Sequence, residues 1–232
     1  MSDFEASIAA AERLSRIEKR YKDPPHSETA PTVEALRGGF CVLVVGSFER
    51  FLSEAFTEHL ASLVGTHPPL SYPDLPDKLR LTSVFESLQF AMTGPRHGRP
   101  KGRGARFPEV VAAARRVVAE NIDPAALGQT KGNPDSETVT SMFGGLGIKT
   151  PFDQVRQAFD ARWNKPEAAT FLSDKLDEIV NARHVVAHTA SALMISRVDL
   201  ADWPAFLRTL AAVLDERLDL YVSNVLVRKS PP

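Results

Sequence analysis

An arginine and two histidines, Arg183, His184 and His188, interrupt the otherwise apolar, helix-forming run "EIVNARHVVAHTAS" between Glu178 and Ser191. A histidine, with an ordinary pKa of about 6.5, can take or give a proton near neutrality, while an arginine stays charged and can hold two oxygens of one phosphate. Together they suit proton transfer beside a bound phosphate. An imidazole moves the proton, and the guanidinium holds the charge that accumulates on the phosphate. That chemistry asks for no metal and no cofactor. Zinc is the competing use of two histidines one turn apart, but a hydrolytic zinc helix carries glutamate directly after the first histidine, and here that residue is Val185.

The spacing adds geometry. Leu172, Leu176, Ile179, Val186 and Ala190 step by three or four residues, and the missing member of that stripe is Arg183. A guanidinium there needs a carboxylate, a bound anion or a partner chain, unless its stem packs on the core and its head reaches water. His184 and His188 share one face, whereas Arg183 and His188 are offset by about 140° on an ideal helix. Side-chain reach, helix bending or a second chain across a two-fold axis would bring them onto one phosphate, and the last asks for a homodimer. Asn181 and Thr189 flank the motif and either contact phosphate or are solvated. Glu49, among apolar residues of another helix, either fixes the direction of Arg183 or pairs with basic side chains such as Arg50.

The elements that must position these residues read as helices nearly throughout. The expected class is all-α. A charged helix over roughly residues 3–22 precedes the linker "KDPPHSETAP", and a long helix from Thr32 as cap to about Ser62 follows, with Cys41, Val44, Val45, Phe48, Phe51, Leu52 and Ala55 on its buried face. Gly38, Gly39 and Gly46 within it suggest close helix approach or simple tolerance. Further helices are expected from about Lys78 to Met92, at "PEVVAAARRVVAEN", at "NPDSETVTSMFGG" with Asn133 as cap, at "TPFDQVRQAFDARW" with Thr150 and Asp153 as a capping box, from about Glu167 to Ala190 and from about Leu200 to Val227.

Composition excludes several classes. With 28 Lys and Arg against 29 Asp and Glu the net charge is -1, so any polyanion site must come from a local concentration of cations. The segment "GPRHGRPKGRGAR" supplies one: Arg96, Arg99, Lys101, Arg103 and Arg106 with no acid, a candidate for RNA phosphate contacts. The lone Cys41 in "FCVLVV" reads as a core residue in a reducing cytoplasm. No apolar run is long enough to span a membrane.

The arrangement of Arg183, four intervening residues and His188, late in a helical chain, resembles the signature of the HEPN superfamily (higher eukaryotes and prokaryotes nucleotide-binding). "LRGGFCVLVVGSFERFLSEAF" is similar to the long first helix of prokaryotic members, with an acidic residue near its middle, and "LGQTKGNPDSETVTSMFGGLGIKTPF" looks like the segment before the motif helix in the RiboL-PSP-HEPN subgroup. His184 stands where many members carry asparagine. The resemblance implies an antiparallel helical bundle over residues 32–228, with 64–133 as a loop-rich, partly helical insertion, 1–31 as N-terminal helix and linker and 229–232 as a tail. It also implies a homodimer with a composite Arg183/His188 site, supported by His184, Glu49, Asn181 and Thr189. The expected function is a metal-independent endoribonuclease of a toxin–antitoxin or phage-defence system, with RNA and a cognate antitoxin or defence protein as partners. The alternatives are a catalytically silent HEPN module that binds nucleotide, RNA or protein, and a plain helical interaction protein.

Overall fold

The computed structural model describes residues 2–65, 70–93, 102–130 and 132–227. Among these the chain forms helices and turns and no strand. In chain order the helices are α1 (Ser2–Glu18), α2 (Ala30–Val64), α3 (Asp77–Thr93), α4 (Arg103–Val118), α5 (Pro124–Leu127), α6 (Ser136–Gly145), α7 (Pro151–Trp163), α8 (Phe171–Thr189) and α9 (Arg197–Val227). No helix among the described residues is long and apolar enough to cross a membrane.

Where the boundaries differ from expectation, local chemistry explains it. Thr32 lies inside the first turn of α2 rather than at its cap. Asn133 precedes α6 by three positions; the helix starts at Ser136, whose N–H and hydroxyl both donate to the Asp177 carboxylate of α8 at 2.8 and 2.7 Å. At the start of α9, Ser196 and Asp199 form a reciprocal cap, with the Asp199 carboxylate accepting the Ser196 N–H at 2.9 Å and the Ser196 hydroxyl accepting the Asp199 N–H at 3.2 Å. That cap lets the helix begin at Arg197 and carry Pro204 inside it. The end of the basic segment is helical, because α4 opens at Arg103 and takes in Arg106.

The chain divides into two compact units. The first consists of Met1–Leu52, Asn133–Glu137 and Phe152–Leu214, the second of Ser53–Gly132, Thr138–Pro151 and Asp215–Pro232.

In the first unit the fully buried side chains include Ile8, Phe40, Phe48, Leu176, Ile179, Trp203, Phe206 and Leu210. Phe171, the first residue of α8, meets Trp163 of α7 at 5.9 Å and Phe206 of α9 edge-on at 5.7 Å between ring centres. The same unit buries an ionic cluster. Arg37 of α2 donates to Glu18 at 3.0 and 2.5 Å, to Asp23 at 3.0 Å and to the carbonyls of Leu193 and Ile195 at 3.3 and 2.7 Å. Arg197 donates to the second Glu18 oxygen at 3.0 Å. Burial alone would depress the pKa of Arg37, but the hydrogen bonds to Glu18 and Asp23 outweigh it and leave it raised.

In the second unit α3 packs against α4 and α5. On α3, Leu79, Ser83, Ser87 and Ala91 are buried, while Leu81 and Phe85 are exposed. Phe56 and Phe143 meet edge-on at 5.0 Å, and Gly128 lies so close to α2 that a Cβ would fall 2.7 Å from the Ser53 carbonyl oxygen.

Candidate active site

All the motif residues lie in the first unit, and α8 carries most of them. Its apolar side fixes it: Leu172, Leu176, Ile179 and Val180 are buried. From Arg183 onward the helix emerges. Arg183 and Val186 are half-buried, and His184, His188 and Thr189 are exposed, as is Ala190, which leaves the apolar stripe it was expected to join.

Close contact with α2 holds this outer half. A Cβ on Gly38 would sit 3.3 Å from Val186 Cγ1 and 3.7 Å from Ala192 Cβ, so a side chain there would push the motif helix away. Gly46 meets nothing within 4 Å and answers only to tolerance. Glu34 of α2 accepts the Ala192 N–H at 3.1 Å. The helix stops at Ala190, which adopts the left-handed region at φ 55°. Thr189 helps form that end, its hydroxyl donating to the Val185 carbonyl at 2.8 Å and accepting from the Ser191 N–H at 3.1 Å. The Thr189 side chain thus closes the helix terminus, and Asn181 is exposed one turn before His184.

The Arg183 guanidinium donates through Nη1 to the side-chain oxygen of Asn133 at 2.9 Å. Asn133, not Glu49, accepts this bond; Glu49 is half-buried on α2 and has interactions of its own. Cys41 of α2 is buried and feels the Arg183 charge. Burial pushes the Cys41 thiol up to about 12, against the opposing pull of the nearby Arg183 charge. The cysteine is therefore a packing residue beside the arginine.

The two imidazoles stand one turn apart with ring centres at 4.3 Å and planes inclined by 57°. Within one chain α8 is a single continuous helix; Arg183 reaches Asn133 while His188 is exposed near the helix end. Among the described residues, no group of three His, Cys, Asp or Glu side chains is placed to hold a metal ion.

Of the basic segment, Arg96, Arg99 and Lys101, together with the Arg103 side chain, lie outside the described residues. Arg106 is a correction: it is 8% exposed and donates to the Met92 carbonyl at the end of α3 at 2.7 Å. A guanidinium used to close a helix end is not a free phosphate contact.

Asn133 is the site residue that sequence reasoning missed. Its position next to Pro134 read as a helix start, and nothing local reveals a partner 50 residues away.

The model of the RiboL-PSP-HEPN family matches residues 6–220 of the chain. The chain belongs to this family. No curated protein and no solved structure matches it. As a RiboL-PSP-HEPN protein it is all-α, as its helices show. The family match covers all of α2 and all of α8, the two helices that hold the Arg183 and His188 region of this HEPN chain.

Proposed function

We propose that this HEPN protein is a metal-independent endoribonuclease that works as a homodimer, with Arg183 and His188 from both copies facing one cleft. The observation that carries the reading is the helix end itself. A half-buried guanidinium, held by a neutral amide, shares α8 with two exposed imidazoles. In the turn after α8 and at the start of α9, Leu193, Met194 and Val198 are 41%, 57% and 67% exposed, which suits a surface covered by a second copy. Glu49 is a supporting residue from α2, and the basic segment around Arg99 and Lys101 is a route for the RNA backbone.

In this reading the ribose 2′-oxygen attacks the adjacent phosphorus while one His188 takes its proton. The bond from phosphorus to the 5′-oxygen breaks as the other His188 supplies a proton to the leaving oxygen. Arg183 holds the non-bridging oxygens. The products are a 2′,3′-cyclic phosphate and a 5′-hydroxyl. His184 stands against His188 and keeps a second imidazole in the cleft. A toxin–antitoxin or phage-defence setting, with a cognate partner restraining the enzyme in the cytoplasm, fits an activity of this kind.

The test is RNA digestion in the presence of EDTA with analysis of the product ends. Cyclic phosphate ends that disappear with His188→Ala support the enzyme. RNA bound but left intact by wild-type dimer would replace it with the silent binding module.

A further inference from the structure

The partner of Arg183 is neutral, and its chemistry bears on what the arginine is for. Arginine only donates, so Asn133 must present its amide oxygen, here at 2.9 Å from Nη1. This takes one of the guanidinium's five N–H groups and leaves its charge whole. A carboxylate at the same place would grip the group in a fork and cancel the charge.

Asn133 is itself held in register. The segment Asn133–Glu137 is tied to α8 at a second point, where Asp177 accepts both the N–H and the hydroxyl of Ser136. Two attachments, at Asp177 and Arg183 of the same helix, fix the amide relative to the guanidinium. Asn133 lies three positions before α6, which begins at Ser136, where Asp177 accepts the first N–H.

From this geometry we infer that Asn133 is a positioning residue, aiming the Arg183 guanidinium at the scissile phosphate without neutralising it. The inference rests on the reading of Arg183 as phosphate anchor. It requires that a carboxylate at position 133 be worse than the native amide even though it binds arginine more tightly.

The experiment uses the full chain and a uniformly 2′-O-methylated oligoribonucleotide, which has no attacking hydroxyl and is bound but not cut. Affinities are measured for wild type, Asn133→Asp, Arg183→Ala and the double variant. Arg183→Ala should weaken binding about tenfold, Asn133→Asp by a similar factor with an unchanged melting temperature, and the double variant no more than Arg183→Ala alone. Asn133→Ala, which adds no charge, is the second arm. With cleavable RNA it should lose about tenfold in kcat while KM moves less than about threefold.

Wild-type affinity in Asn133→Asp alongside weakened Arg183→Ala would overturn the inference and leave the anchor reading standing. So would independent, additive losses in the double variant, since the new carboxylate would then be repelling RNA directly. Wild-type affinity in Arg183→Ala would instead remove the anchor reading and the inference with it.

Discussion

Arg37 and Arg183 both occupy positions among apolar side chains of their helices, and the protein treats them in opposite ways. Arg37 is 3% exposed and meets Glu18 and Asp23 as well as two backbone carbonyls. Its charge is consumed in tying α1, α2 and the turn after α8 together. Arg183 is half-buried and donates to one neutral amide. The contrast separates an arginine that ties elements of the fold together through carboxylates from one held by a neutral amide. A guanidinium on an apolar stripe is thus not informative until its partners are known.

The sharpest way to break the contrast is to delete each arginine. Arg183→Ala should lower RNA cleavage at least about 100-fold, and His188→Ala by about 10² to 10⁴, each with a melting temperature close to wild type. Product analysis by electrophoresis beside calorimetry reads both. Arg37→Ala should show the reverse emphasis. It leaves the buried Glu18 without its main counter-charge, and denaturant unfolding should show a loss of about 3 to 5 kcal/mol. Equal stability losses in the two variants would erase the distinction.

A smaller effect concerns the thiol beside Arg183. With its pKa pushed to about 12 by burial, Cys41 should resist alkylation in native protein at pH 8 and react once the chain is unfolded, as mass spectrometry of iodoacetamide-treated samples would show. Rapid native labelling would mean that the Arg183 charge, not burial, controls the thiol.

The smallest effect lies at α1, where Arg208 bonds Glu5 and Glu12 at the surface. The Arg208 hydrogen bond holds the Glu12 carboxyl below the ordinary carboxylate range. A carboxylate with a depressed folded pKa adds stability above the unfolded value and loses it as pH falls through the folded one. The melting temperature of Glu12→Gln should therefore sit slightly below wild type at pH 7 and converge with it below pH 4. A constant gap across that range would assign the effect to packing.

Much of the fold could be read before any coordinates, because amphipathic helices announce themselves at a spacing of three and four residues. The long helix with Cys41, Val44 and Phe48 and the motif helix with Leu172, Leu176 and Ile179 are both where periodicity puts them. Gly38 does mark a close approach, while Gly46 does not, and no local signal distinguishes the two. The buried Arg37 cluster and the Asn133 contact stayed hidden for a different reason. Both join residues far apart in sequence, and periodicity reports which face is buried, not what it meets. Ser196 and Asp199, three residues apart, carry the cap signal in the sequence, and α9 begins between them rather than at Leu200.

The Glu18 carboxylate has one consequence for how the protein comes into being. It receives Arg37 and Arg197, residues 19 and 179 positions away. During synthesis the ribosome delivers α1 and α2 early, and Arg197 only after the motif helix has emerged. Contacts of such sequence separation close late, after the intervening loop entropy has been overcome. A nascent chain therefore carries its histidines in an unfinished unit until the start of α9 has left the exit tunnel.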